Sequence, residues 1–247
     1  MSVETHTLSI VSHNQNDLVE LVLDDLENLK PKNFSVIVTY NLGNEIIDTT
    51  KYSYNIISIK NEKVKGFGSN HNHAFTYCKT EFFYVVNPDI RLPGTFSFNE
   101  LSDALGKKTG ACSPLVLDEN GDWEDHARRY PSIFRLFTRH FLRLRKPDYV
   151  RPINKIIKVD WCAGMFLGFN KFVFSSIEGF DEKYFMYCED IDICRRLNEM
   201  KMSVVVHPYQ YVTHCAQRKS RRSLLHLYYH ISSILIFWKK YYFQLRS

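Results

Sequence analysis

Residues 179–196 read GFDEKYFMYCEDIDICRR. An aromatic run, Tyr184, Phe185 and Tyr187, leads directly into three acids, Glu189, Asp190 and Asp192. Carboxylates beside an apolar wall lose hydration and repel one another. Both effects raise a carboxyl pKa and suit a general base. Ile191, Cys194, Leu197 and Met200 recur at helical spacing, so a helix is expected from about residue 190. Glu189 and Asp190 then stand at its positive end, where anions are favoured. The plainer alternative is that Asp190 only caps this helix.

Upstream, the chain alternates short apolar strands with amphipathic helices. Strands are expected at 8–12, 34–39, 55–59 and 82–86, and helices at 16–30 and 69–80. The first helix carries Leu18, Val22, Leu26 and Leu29 on one face. Such alternation indicates an α/β domain with a mostly parallel, helix-flanked central sheet. Its ligands belong at the C-terminal ends of the strands. Polar residues stand at those ends: His13-Asn14, Tyr40-Asn41 and Asn87-Pro88-Asp89.

Three further stretches carry chemistry. Gly66-Phe67-Gly68-Ser69-Asn70-His71-Asn72 joins a strand to a helix, where glycines allow close backbone approach and the helix start can receive phosphate. It equally reads as a turn and cap. An acid at a strand edge, as in Asn87-Pro88-Asp89, can hold a hard divalent cation together with a diphosphate, although the tripeptide is also good turn chemistry. Asp160-Trp161-Cys162-Ala163-Gly164 offers Trp161 as a sugar-stacking surface or as core.

Taken in order, Trp161-Cys-Ala-Gly164, Gly179-Phe-Asp-Glu182, Phe185-Met-Tyr-Cys-Glu-Asp-Ile-Asp192, Arg195-Arg-Leu197, His207-Pro208 and a closing His214 resemble family 2 inverting glycosyltransferases. The likeness is greatest to bacterial rhamnosyltransferases that build O-antigen and related polysaccharides. It runs from about Leu8 to His214. It implies a GT-A-like nucleotide-diphospho-sugar transferase fold over residues 1–215, with 216–247 as a basic, aromatic, helical extension. By resemblance, Asp190 is the base, with Glu189 in reserve. The donor is held by His13, Asn41, Gly66, Gly68, Asn72, Asn87 and Asp89. Asn87-Pro88-Asp89 stands for the Asp-x-Asp motif, and Asp89 with His214 binds a divalent cation, Mg2+ or Mn2+. Trp161, Gly164, Asp192, Arg128 and Arg129 face the acceptor. Tyr40 departs from the pattern, because an Asp near the donor base is usual there.

The implied reaction moves L-rhamnose from dTDP-rhamnose to a lipid-diphosphate-linked glycan. The same fold with UDP-galactofuranose or UDP-glucose as donor is the alternative. A non-catalytic binder of anionic membrane or nucleic acid is the alternative of another class. No nucleic-acid module is recognisable, and such a binder leaves the acids unexplained.

Whole-chain features fit a peripheral enzyme. The 247 residues are 45% hydrophobic and 15% aromatic, enough for a sizeable core, with a net charge of +5. The charge is uneven: no acid follows Glu199, and Asp148 is the only acid between Arg128 and Lys158. Such basic segments suit an anionic membrane surface. Leu224, Leu227, Tyr228 and Ile231 share a helical face, and Trp238 with Lys239 and Lys240 resembles an interfacial belt. The six cysteines form no CxxC pair, and the N-terminus lacks the apolar core of a signal peptide. The expected location is the cytoplasmic face of the inner membrane, without a membrane span.

Overall fold

The computed structural model describes residues 5–30, 32–43, 45–131, 147–152, 154–215 and 224–242. Part of the first basic segment, at 132–146, and the basic residues Arg218, Lys219, Arg221, Arg222 and Arg246 lie outside them.

The N-terminal half follows the expected alternation. Strand β1 (His6–His13) leads to helix α1 (Asn16–Leu29), then β2 (Phe34–Leu42), β3 (Asn55–Lys60), α2 (Phe67–Phe75) and β4 (Phe82–Val86). These strands lie parallel in the order β3-β2-β1-β4. Their alternating side chains feed two cores. Val36 and Val38 of β2 meet Val19, Val22, Leu23 and Leu26 of α1, while Ile37 faces the opposite layer with Phe83 and Val85. A parallel sheet buried on both faces needs this near-continuous apolar composition.

Beyond β4 the chain runs through β5 (Ile90–Arg91), α3 (Phe98–Asp103), β6 (Thr109–Leu117), β7 (Ala127–Arg128), β8 (Ile157–Val159), β9 (Trp161–Cys162), β10 (Phe166–Asn170), α4 (Lys171–Ser176), α5 (Glu189–Glu199), β11 (Ser203–His214) and α6 (Leu224–Tyr241). Here the sheet differs from the mostly parallel expectation. β10 inserts antiparallel between β4 and β6, and β11 pairs parallel with β6 but antiparallel with β5 and β8. The sheet is therefore parallel across its N-terminal half and mixed beyond it.

Two elements depart from expectation in detail. Helix α2 starts at Phe67, with Gly66 as its N-cap, and ends at Phe75 instead of reaching Thr80. His207 lies inside β11 and not in a turn; Pro208 is absorbed by a register shift between His207 and Tyr211.

Candidate active site

A cleft of about 450 Å³ opens at the C-terminal ends of the parallel strands. His13 and Asn41, which end β1 and β2, line one side with Lys65 and Asn70; Asn87 and Asp89, just past β4, line the floor; Gly164, Phe185, Tyr187, Glu189 and Asp190 line the other side. The structure thus brings together residues as far apart in the chain as His13 and Asp190.

On the first side, Asn41 fixes the loop before α2. Its Oδ1 accepts from Lys65 N at 2.8 Å and from Asn61 Nδ2 at 2.9 Å, and its Nδ2 donates to Lys65 O at 2.9 Å. Asn70 completes this net, donating to Gly66 O at 2.9 Å and accepting from Asn61 at 2.6 Å. Asn70, absent from the sequence-based set, is the cleft asparagine of α2. Asn72 points elsewhere: its amide receives Phe180 N at 2.9 Å and donates to Phe180 O at 2.9 Å. Two residues on a helix differ by about 200° in direction, so Asn70 and Asn72 cannot share a face. Gly68 is likewise packed away from the cleft, since a Cβ there would meet Phe180 Cβ at 2.6 Å. Gly66 backs onto the acceptor-side loop, where a Cβ would meet Phe185 O at 2.6 Å. Tyr40 is buried and its hydroxyl accepts from Ile47 N at 3.0 Å, which ties down a neighbouring loop in place of any contact with a base.

On the floor, Asp89 meets His214. His214 Nε2 lies 3.2 Å from Asp89 Oδ2, and Nδ1 lies 3.0 Å from Glu124 Oε2. Burial alone would lower the His214 pKa, but hydrogen bonds to Asp89 and Glu124 overturn this and hold it up to about 9. Asp89 Oδ1 is buried with no hydrogen-bond partner among the described residues. The loop carrying it is braced from α1, where Asp25 receives Arg91 Nε at 2.7 Å and Leu92 N at 2.9 Å. Among the described residues, no group of three or more His, Cys, Asp and Glu side chains is arranged to enclose a metal ion. Asp89 and His214 are two neighbouring donors, and Glu124 orients the histidine.

On the acceptor side, α5 begins unusually. Tyr187 and Cys188 both adopt positive φ, at 71° and 67°, immediately before Glu189. Cys188 occupies the N-cap position without a side-chain capping bond, and Asp190 stands in the first turn. Asp190 turns back to β9: Oδ2 accepts from Gly164 N at 3.0 Å and Oδ1 from Ile191 N at 2.8 Å. Burial raises its pKa, while the two backbone bonds and Arg128 pull the other way. Glu189 is buried, with Oε2 unpartnered among the described residues, and its carboxyl is pushed well above the usual range by burial and then by Asp190.

The remaining acceptor-side residues are dispersed. Asp192 is enclosed away from the cleft, receiving Arg196 Nε at 2.7 Å, Lys240 Nζ at 2.7 Å and Tyr241 OH at 2.9 Å. It joins two helices and cannot reach an acceptor. Trp161 is buried, donating Nε1 to Arg129 O at 3.0 Å, so its ring serves packing. Arg128 lies over that ring at 5.7 Å and bonds Asp125; Arg129 lies over Tyr149 at 5.6 Å.

Helix α6 packs against this side. Tyr187 stacks on His230 at 4.0 Å and its hydroxyl is hydrogen-bonded to His226 Nδ1 at 2.8 Å. Ser233 donates to Met186 O at 2.8 Å, and Phe237 is 1% exposed. The opposite face of α6 leaves Leu227, Tyr228 and Ile231 exposed. No helix among the described residues is long and apolar enough to cross a membrane.

No family model matches the chain. Over 223 residues it is 29% identical to "Rhamnosyltransferase WbbL" of Escherichia coli (strain K12), a match spanning 86% of this chain and 84% of WbbL. Over 174 residues it is 30% identical to the "N-acetylglucosaminyl-diphospho-decaprenol L-rhamnosyltransferase" of Mycobacterium tuberculosis, spanning 64% of this chain and 54% of that protein. Among solved structures, GalNAc-T7 with UDP, GalNAc and Mn2+ superposes with a TM-score of 0.68 at 14% identity, covering 88% of this chain and 45% of that one. The mannosyltransferase PcManGT from Pyrobaculum calidifontis, in complex with GDP-Man and Mn2+, gives a TM-score of 0.60 at 14% identity, covering 89% and 59%.

Proposed function

We propose that this chain, a rhamnosyltransferase-like glycosyltransferase of GT-A fold, transfers L-rhamnose from dTDP-rhamnose to a lipid-diphosphate-linked glycan in bacterial surface polysaccharide assembly. One observation carries the reading: Asp190, with a pKa raised by burial, lines the same cleft as Asp89 at the strand ends.

Asp190 is the base. Gly164 N and Ile191 N hold both of its oxygens, which fixes the carboxylate's direction. A base of raised pKa accepts the proton of the acceptor hydroxyl more readily than an ordinary carboxylate does. The freed oxygen attacks the anomeric carbon from the face opposite the leaving nucleoside diphosphate, so the configuration inverts, with an oxocarbenium-like transition state as in glycoside hydrolysis. Glu189 stands close by, its carboxyl pushed up by burial and then by Asp190. His13, Asn41, Asn70 and Asn87 supply the polar donor wall.

A divalent cation fits the floor. The unpartnered Asp89 Oδ1 and the His214 imidazole, once a cation displaces its second proton, offer oxygen and nitrogen donors, and Glu124 would fix the imidazole tautomer. Bound there, Mg2+ or Mn2+ would offset the charge of the leaving diphosphate. The exposed face of α6 and the basic residues around it suit peripheral attachment to the anionic cytoplasmic leaflet, where the acceptor lipid resides. Residues 224–242 also pack on the transferase domain, so the extension serves both as support and as docking surface.

The direct test supplies dTDP-L-rhamnose and an N-acetylglucosaminyl-diphospho-lipid, with UDP-galactofuranose and UDP-glucose as competing donors. Rhamnosyl product, abolished by chelation and restored by Mg2+ or Mn2+, is expected. Product from another donor alone would overturn the rhamnose assignment, and chelation without effect would remove the metal role of Asp89 and His214. Vesicle co-sedimentation of Leu227→Ser/Ile231→Ser protein tests the docking face; sedimentation equal to wild type would move it elsewhere.

A further inference from the structure

We propose that Arg128 of β7 together with His226 and His230 of α6 forms the site for the acceptor's diphosphate, at the mouth of the cleft beside Asp190. The proposal rests on the glycosyltransferase reading and deepens it.

Three basic side chains from two distant parts of the chain converge here. Tyr187 lines the cleft and is held by both histidines, His230 by stacking at 4.0 Å and His226 by a hydrogen bond of 2.8 Å. His230 is an exposed residue. Arg128 lies over Trp161 at 5.7 Å, three residues before the Gly164 that holds Asp190, and α6 is tied to the same segment by Trp238 Nε1 donating to Pro131 O at 3.2 Å. Its Nε donates to Asp125 O at 2.7 Å and lies 3.2 Å from Asp125 Oδ2, which orients the guanidinium while a good part of it stays exposed.

Basic groups brought side by side favour an anion between them. Burial lowers the His230 pKa, and the neighbouring Arg128 and His226 lower it further. A diphosphate placed among the three would reverse that repulsion and receive charge-assisted hydrogen bonds, with guanidinium geometry suited to two phosphate oxygens. The donor's diphosphate is an unsuitable occupant, because in the proposed reaction it sits at Asp89 and His214, whose contacts run to Glu124 and not to α6. The acceptor's diphosphate suits the position: its sugar must reach Asp190, and its lipid must lead away to the bilayer. Helix α6 supplies that exit, since Leu227, Tyr228 and Ile231 are exposed on the helix that carries both histidines.

Full-length protein is titrated with a short-chain prenyl diphosphate while the His226 and His230 imidazole resonances are followed by NMR, and in a second arm with dTDP. The expected result is a shift of both histidines with prenyl diphosphate, retained when dTDP is already bound. Shifts produced by dTDP instead would assign the site to the donor, and no shift with either would overturn the proposal. In turnover, His230→Phe keeps a ring on Tyr187 but removes the nitrogens. Its KM for a diphosphate-linked acceptor should rise about tenfold, with donor KM unchanged and a much smaller effect on an alkyl glycoside lacking phosphate. His230→Arg should restore the lower KM. Equal loss on both acceptors would make His230 a mere support for Tyr187 and sink the proposal. If wild type transfers to neither acceptor while the histidines still shift, the glycosyltransferase reading fails and the anion site stands.

Discussion

Asp190 and Asp192 are two residues apart on α5, and the helix turns them to opposite surroundings. Asp190 faces the cleft, holds two backbone N–H groups and forms no ion pair among the described residues. Asp192 faces the protein interior at 0% exposure, with Arg196, Lys240 and Tyr241 all donating to it. One carboxylate is kept reactive by being short of partners; the other is saturated and welds α6 to α5. Identical chemistry in sequence becomes function or architecture according to which side of the helix it occupies.

The sharpest way to break this comparison is to exchange each acid for its amide. Asp190→Asn should lower transfer by on the order of 10²–10⁴-fold, with donor affinity and melting temperature near wild type. A variant that still turns over normally would transfer the base role away from Asp190, with Glu189 next in line.

Asp192→Ala should act through stability instead. It strands Lys240 and Arg196, which are partly exposed and keep other partners, Asp181 for the lysine and the Ile177 and Gly179 carbonyls for the arginine. The loss should therefore fall below that of a fully buried pair, about 2 kcal/mol by urea denaturation. An unchanged midpoint together with a collapsed turnover would return Asp192 to the acceptor site.

Glu189→Gln refines the contrast through pH. A carboxyl whose folded pKa lies above its unfolded value favours folding while protonated, and that contribution is lost as pH rises through the folded pKa. Burial and Asp190 raise Glu189 in this way. The variant should therefore melt higher than wild type at neutral and alkaline pH, with the gain shrinking as pH falls. A gain that grows toward acid pH would contradict the assignment. In wild type the acid limb of the rate profile should lie above the ordinary aspartate range, because burial raises Asp190.

The smallest effect belongs to the outer lock. Lys240→Met removes the bridge between Asp181 and Asp192 at a partly exposed position, and should cost about 1 kcal/mol while leaving turnover intact. A much larger fall in turnover than in stability would show that α6 governs the chemistry directly.

How much of this was readable beforehand varied with the range of the interactions. The first four strands and α1 follow from local periodicity, and the structure departs from those expectations only at element ends. Asp89, Glu189 and Asp190 line the cleft where a strand end and a helix start predicted polar residues, while Gly164 and His214, expected by resemblance, bond Asp190 and Asp89. Asn72, Trp161 and Asp192 lie off the cleft because motif position says nothing about facing: a rotation along α2, a two-stranded pairing at β9 and the packing of α6 turn them away from it. Helical spacing from Gly66 would have favoured Asn70, which bonds the carbonyl four residues back. Glu124, His226 and His230 carried no local signal at all, since each matters only through a partner 39 or more residues distant.

The contact between Gly66 and Phe185 limits how such chains can be recombined. Phe67 N donates to Phe185 O at 2.9 Å, and a Cβ on Gly66 would lie 2.6 Å from that same oxygen. Two backbones that must touch without a side chain between them have to diverge together. A chimera that takes residues 65–72 from one parent and 179–190 from another would therefore assemble poorly however well each half folds. Exchange of donor preference between relatives has to carry both segments as one block.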